Sequence, residues 1–259
     1  MDQSKSPYQD ISLVYDMIRP AYPKALLEDI LRETKLNNNG KMLEIGAGTG
    51  KATTEFISKG FYVDAIELEK NMADILAGKV DSSNLKLYVT SFEAWQPVAS
   101  DYDLIICAQA FHWLDPDIKF KKCHSLLSNS GFLALFWYDP LPPVEDDTNV
   151  RLEAIKQSFL GSTTNYSSTH SADNREKELR HTEYFDLIFE KRYDVTVKNT
   201  AEQYFLAMQS TPAFSEKYNA LSVEVQQDFI RQINAVISDN DGFVASRLRY
   251  SLYILKPTN

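Results

Sequence analysis

Three of the chain's nine glycines fall within five residues, in Glu44-Ile45-Gly46-Ala47-Gly48-Thr49-Gly50. Glycines at this density let a backbone turn tightly and approach a ligand without Cβ clashes, which is the chemistry of a nucleotide-holding loop. The spacing decides which nucleotide. A dinucleotide fingerprint counted from Gly46 needs glycine at position 51, where Lys51 stands. A P-loop needs glycine at 45 and Ser or Thr at 52, where Ile45 and Ala52 stand. Both phosphate patterns fail. The remaining pattern, E-x-G-x-G-x-G, puts an acidic residue, Glu44, at the mouth of the loop, where it would repel a pyrophosphate and suit a ligand with a cationic end.

A second acidic landmark, Glu67, closes Val63-Asp64-Ala65-Ile66-Glu67, about twenty residues past the loop. A carboxylate there can accept hydrogen bonds from both hydroxyls of a ribose; the alternative is a cap on a helix starting near Glu69. The glycine loop before it favours the ribose. His112, in Gln109-Ala110-Phe111-His112-Trp113, is the best-placed general base, with a packing or positioning role weighed equally. Phe111 and Trp113 wall a pocket or fill the core. His124, His170 and His181 are scattered singly without metal-ligand spacing, so no metal is expected. Arg151, Arg175 and Arg180 could select a carboxylate but read better as solvated charges. Neither Gly-x-Ser-x-Gly nor HExxH occurs, which removes two common hydrolase readings.

These residues need elements to hold them. Short apolar runs at 41–45, 61–66, 85–90, 102–107 and 132–138 read as strands, and Gly40, Gly60 and Gly131 stand directly before three of them. Between them, 49–59, 69–79 and 117–127 carry apolar residues at mixed three and four spacing, as helices lying on a sheet do. Strands joined in this way run parallel, with the ligand crevice at their carboxyl ends. Asp139-Pro140-Leu141-Pro142-Pro143 breaks the pattern; 149–160 then reads as helix and 161–174 as polar loop, an insert expected to cover the crevice. Runs at 187–197 and 244–255 suit an antiparallel edge pair, with helices at 200–209 and 215–238 between them.

With 259 residues and 44% hydrophobic content the chain can bury a substantial core as one domain. Lys and Arg number 27 against 36 Asp and Glu, a net charge of -9, so nucleic acid would be approached against repulsion. Residues 1–10 are polar, and no stretch approaches the roughly eighteen apolar residues of a membrane span, so a soluble cytoplasmic protein is expected. Cys107 and Cys123 form no CxxC pair and read as buried thiols.

Leu43-Glu44-Ile45-Gly46-Ala47-Gly48-Thr49-Gly50, Glu67 followed by Met72, Asp101-Tyr102-Asp103-Leu104 and Gln109-Ala110-Phe111-His112-Trp113 resemble the class I S-adenosylmethionine-dependent methyltransferases. The likeness is to the small-molecule subgroup (type 11) that includes trans-aconitate methyltransferase-like proteins. Tyr15, Arg19, Pro20, Tyr22 and Pro23 are similar to the segment preceding the fold in that subgroup. The likeness covers residues 8–138, and the rest matches loosely.

It implies an α/β, Rossmann-like three-layer sandwich with a mostly parallel seven-stranded sheet and an antiparallel C-terminal edge hairpin. Within a single domain 1–259, residues 1–38 would form a helical cap, 39–138 the cofactor core, 139–182 a substrate lid and 183–259 the C-terminal strands and helices. S-adenosyl-L-methionine is the implied cofactor and S-adenosyl-L-homocysteine its product. By position Glu44, Gly46, Ala47, Gly48, Thr49 and Gly50 would face the methionine part, Glu67 the ribose and Leu68 the adenine, with Met72 close by. Ser91 and Phe92 stand where family members often carry an aspartate and a small residue, so the adenine contact there is weaker or passes to the backbone. Gln109 would approach the sulfonium, Tyr15 and Arg19 would fold over the cofactor, and Tyr22, Phe111, Trp113 and Tyr138 would shape the acceptor pocket.

The implied activity is methyl transfer to an oxygen, nitrogen or carbon of a small molecule, a carboxylate among the candidates, with no nucleic-acid or membrane partner. The oligomeric state is not legible. An NAD-dependent oxidoreductase is opposed by Lys51, and a non-catalytic cofactor-binding protein stays open on fold alone.

Overall fold

The computed structural model describes residues 16–36, 39–80, 83–97, 100–161, 171–209 and 211–258. Tyr15 and His170 lie outside them, as does most of the expected loop 161–174. Helix α1 (Lys24–Thr34) packs Leu26, Leu27 and Ile30 inward and ends where Lys35 turns left-handed. Strand β1 (Lys41–Ile45), α2 (Thr53–Ser58), β2 (Tyr62–Glu67), α3 (Lys70–Lys79), β3 (Leu85–Val89) and β4 (Tyr102–Ala108) follow in alternation. After a short turn of 3-10 helix at Phe111–Trp113 come α4 (Lys119–Leu126) and β5 (Leu127–Pro140).

Helices α5 (Asp147–Leu160) and α6 (Ala172–His181) lead to β6 (Phe185–Asn199). Then α7 (Ala201–Gln209), α8 (Pro212–Asn219) and α9 (Val223–Ser238) lead to β7 (Val244–Pro257).

The seven-stranded sheet has the order β3-β2-β1-β4-β5-β7-β6. Its first five strands pair in parallel, and β7 runs antiparallel between β5 and β6. The fold is thus the Rossmann-like one expected. The chain leaves β1 toward β2 and later returns to β4 on its other side, so the loops after β1 and β4 diverge and leave a crevice between them.

The central strands are apolar at successive positions because both sheet faces are covered. Met42, Leu104, Ile106, Ala134 and Phe136 join Leu26, Ile30 and Phe56 in one core. Leu43, Ile45, Ile105, Leu133, Leu135 and Trp137 join Phe120 and Leu126 in the other. Cys107 and Cys123 are free and buried, and burial pushes both thiols up, which leaves them as apolar filler. A third core of Leu152, Phe214, Tyr218, Phe229 and Ile233 joins α5, α8 and α9. No helix among the described residues is long and apolar enough to cross a membrane.

Several sequence expectations change. The helix expected over 49–59 forms only at Thr53–Ser58, because the turn of the glycine loop runs on through Ala52. The helix predicted over 215–238 is two helices, with Ser222 capping the second by accepting a hydrogen bond from the Val225 amide. Apolar spacing through Tyr218, Leu221 and Val225 hides that break. Residues 172–174, read as loop, open helix α6, which buries only Leu179 and so shows no apolar period. Strand β5 starts at Leu127, five residues early, because Leu127 pairs with Tyr102 ahead of an irregular stretch, after which regular pairing resumes between Phe132 and Leu104. It also runs through Pro140, tolerated as the last residue of the strand.

A Cβ on Gly131 would stand 2.6 Å from the Tyr102 carbonyl oxygen, a backbone atom held in the sheet. Gly131→Ala is therefore expected to cost about 2 kcal/mol through overpacking, seen as a lower urea midpoint at unchanged slope. An unaltered midpoint would mean that β4 and β5 separate freely at this point.

Candidate active site

The glycine loop leaves β1 and is stapled at once to the end of β2. Gly46 and Ala47 both donate their amides to the Ile66 carbonyl, at 2.9 and 3.0 Å, and Gly50 closes the turn onto Ala47 at 3.0 Å. Gly46, Gly48 and Gly50 all have positive φ, at 69°, 57° and 86°. Their reasons differ. A Cβ on Gly46 would meet the Ala110 Cβ at 2.6 Å and one on Gly50 the Leu76 Cδ1 at 2.4 Å, so these two serve packing. A Cβ on Gly48 would meet nothing within 4 Å, and this residue lines an open cavity.

That cavity lies open between the loop, the end of β4 and the segment preceding α1, with about 420 Å³ of space counted out into solvent. Of the residues singled out in the sequence, Arg19, Tyr22, Glu44, Gly46, Ala47, Gly48, Thr49, Gln109 and Tyr138 line it together. Pro20, Lys51, Ala52 and Ala108 line it as well and had not been assigned a site role. Lys51 and Ala52 had served to reject the phosphate motifs, and their place straight after the glycine loop was the available signal.

Glu67, at the end of β2, is 6% exposed. Its Oε2 accepts the Gly48 amide at 2.7 Å and its Oε1 the Glu69 amide at 2.8 Å. Burial raises its pKa, and these backbone donors oppose the rise. The contact at Glu69 is the helix-start role weighed in the sequence. A carboxylate offers about four acceptor sites, so two such bonds leave capacity for a ligand.

Glu44 does not stand at the mouth as a solvated anion. It is 1% exposed beneath the loop, and its Oε2 makes no hydrogen bond. Burial pushes its pKa up to about 8; the Thr53 hydroxyl opposes this, and the nearby Glu67 charge adds to it. At neutral pH the side chain is therefore largely protonated in this state.

Gln109, at the end of β4, is a non-glycine residue held at φ 63°. Its amide donates to the Phe136 carbonyl at 3.0 Å and its Nε2 to the Tyr138 carbonyl at 3.2 Å, which hold the unfavourable conformation in place. Arg19 donates to the Tyr138 hydroxyl from across the cavity.

The remaining candidates lie elsewhere. Leu68 is 60% exposed, Met72 is buried in α3, and Ser91 caps a turn by accepting the Ala94 amide while the neighbouring Phe92 is buried. Phe111 is core, edge-on to Phe120, and Trp113 stands 66% exposed outside the cavity lining. Arg151 and Arg180 form exposed ion pairs, as expected of surface charges. Arg175 does not: it is 10% exposed, pairs with Asp139 and stacks 5.2 Å from the Trp137 ring. No group of metal-ligating side chains stands together among the described residues.

His112 accepts a hydrogen bond at Nδ1 from the Trp137 indole N–H, 3.0 Å away. An indole N–H can only donate, so the neutral ring carries its proton on Nε2. That arrangement makes the outer nitrogen a donor and favours the positioning reading over the base.

Residues 42–131 match a family model described as a methyltransferase domain. An uncharacterized methyltransferase of Schizosaccharomyces pombe is 33% identical over 48% of this chain and 49% of its own length. The chain spans about half the length of the curated relatives it matches first. Among solved structures, a candidate type II methyltransferase of Anaeromyxobacter dehalogenans aligns at TM-score 0.64 with 15% identity, covering 91% of this chain and 97% of that one. A Haemonchus contortus phosphoethanolamine N-methyltransferase bound to S-adenosylhomocysteine aligns at TM-score 0.54 with 14% identity, covering 96% of this chain and 58% of that one.

Two measurements follow from this geometry. Because the folded pKa of Glu44 lies above its usual value of 4.5, the folded state holds the extra proton between there and about pH 8, and stability falls as pH rises through that window. Glu44→Gln should remove this slope and melt above wild type at pH 9; parallel melting profiles from pH 5 to 9 would sink the argument. For His112, long-range proton–nitrogen NMR of the nitrogen-15-labelled chain should show the Nε2–H tautomer in wild type and a mixture in Trp137→Phe. An Nδ1–H ring in wild type would contradict the Trp137 bond.

Proposed function

We propose that this chain is a class I S-adenosylmethionine-dependent methyltransferase, a reading supported by the methyltransferase-domain match over residues 42–131, and that it transfers a methyl group to a small-molecule acceptor bound beside the cavity. The observation that carries the reading is the buried, unbonded Glu44 oxygen on a cavity that Arg19 and Lys51 also line. An acidic and a cationic side of one small cavity fit the ammonium and carboxylate of a methionine-like zwitterion. The absent side chain at Gly48 leaves room for a ligand to approach the backbone.

When bound, S-adenosylmethionine supplies a methyl group made electrophilic by its sulfonium. In this reading Glu44 ionises to hold the ammonium and Arg19 meets the carboxylate. Glu67 accepts from the ribose hydroxyls while staying tied to Gly48. Leu68 covers the adenine, exposed as it is without one, with the turn at Ser91 and Phe92 beside it. Methyl transfer disperses charge, so alignment and water exclusion by Tyr22, Gln109 and Tyr138 supply most of the acceleration. His112 is held as a donor and stands outside the cavity lining, which favours an acceptor atom that is already ionised and needs no base, a carboxylate first among them.

S-adenosylhomocysteine should raise Tm through linkage, equivalent to about 2.7 kcal/mol at a hundredfold excess over Kd. Glu67→Ala should weaken its binding by about a hundredfold or more in titration calorimetry, since two hydrogen bonds to a buried carboxylate are lost. Unchanged affinity would reject the ribose assignment, and NAD binding in preference to S-adenosylhomocysteine would reject the cofactor. Transfer of labelled methyl from S-adenosylmethionine to a panel of carboxylates, phenols and amines separates an enzyme from a binding protein.

A further inference from the structure

Residues 16–22 bridge the cavity from the glycine loop on one side to β5 on the other, and their two ends are held by different forces. At the β5 end Tyr22 meets Phe136 edge-on at 4.8 Å, and the Ala21 carbonyl accepts the Tyr250 hydroxyl at 3.0 Å. Phe136 and Tyr250 are fully buried, so this end is an apolar anchor. At the loop end the hold is ionic. Asp16 Oδ1 accepts the Thr49 hydroxyl at 2.6 Å and the Lys79 ammonium at 2.6 Å, with Lys51 at 3.6 Å. Lys79 also donates to the Thr49 carbonyl at 2.9 Å, which closes a small ring onto the glycine loop. Between the two ends, Arg19 and Pro20 line the cavity.

We propose that Asp16 is a positioning residue: its clasp on Thr49 and Lys79 latches this segment over the cofactor cavity and sets how fast S-adenosylhomocysteine enters and leaves. The proposal rests on the cofactor assignment above. Met17, next to the clasp, is 65% exposed, and the Asp16, Lys51 and Lys79 side chains are 23%, 24% and 32% exposed. The loop end is therefore held by charges within reach of water and salt, whereas the β5 end rests on the buried rings of Phe136 and Tyr250. Charges at this depth weaken as ionic strength rises, whereas the apolar anchor does not. The segment opens at the clasp and pivots at Tyr22.

A latch and a direct ligand contact leave different kinetic traces. Releasing a latch exposes the cavity more often and so raises association and dissociation rates together; removing a contact raises dissociation alone. Surface plasmon resonance on the immobilised 259-residue chain with S-adenosylhomocysteine as probe distinguishes them. Asp16→Ala is expected to raise both rates by about five- to tenfold, from the loss of charge-assisted bonds that are partly exposed. Raising sodium chloride from about 0.05 to 0.5 M should speed both rates in wild type and leave Asp16→Ala unaltered. Arg231→Gln, which breaks an exposed ion pair on α9, serves as the control and should match wild type.

A rise in dissociation alone, or no change in either rate, overturns the latch. If Asp16→Ala does not fold, Lys79→Met opens the same clasp from the other side under the same criteria. A wild-type chain that binds no S-adenosylhomocysteine overturns the cofactor assignment itself; one that binds it with rates indifferent to Asp16, Lys79 and salt overturns only the latch.

Discussion

A nearly buried carboxylate receiving the amide of a left-handed glycine, Glu67 to Gly48 at 2.7 Å, ties together the two strand ends that define the site. The bond requires the chain after β1 to reverse within a few residues, which L side chains resist at positive φ. It also requires Gly46 to press against Ala110, where no Cβ fits. Ala110 is held there because Gln109 accepts a strained backbone braced by Phe136 and Tyr138. One hydrogen bond at the end of β2 is thus coupled through contacts to β4 and β5.

The electrostatics around the glycine loop follow from depth more than from formal charge. Glu44 and Glu67 are both acidic, and both have raised pKa values because the loop shields them from water. Glu67 is steadied by two backbone amides, whereas Glu44 Oε2 has no such donor. A buried polar atom without a partner is costly, and a cationic ligand group is the simplest means of satisfying it. Arg19 and Lys51 bring opposite charge to the same space from segments far apart in the chain.

Around His112, the interactions run from α6 inward. Asp139 holds Arg175, Arg175 stacks on Trp137, and Trp137 donates to His112. The orientation of the histidine ring, and with it the side that bears the proton, is therefore set by residues on β5 and on helix α6, far from His112 in the chain.

The parallel core was legible in the sequence because its signals are local. Gly46 to Gly50 announce a backbone that only glycine adopts easily, and the apolar runs at β1, β2 and β4 mark strands covered on both faces. Glu67 was legible by its distance from that loop. Tertiary structure alone decided that Glu44 is sealed from water, that Phe111 belongs to the core while Trp113 faces solvent, and that Arg175 is not a solvated charge. It also decided where helix α6 begins, since a helix burying only Leu179 carries no apolar period to read. Local sterics are written in residue type and spacing; burial, proton position and ion pairing depend on which distant segments pack around a group, and no spacing along the chain encodes them.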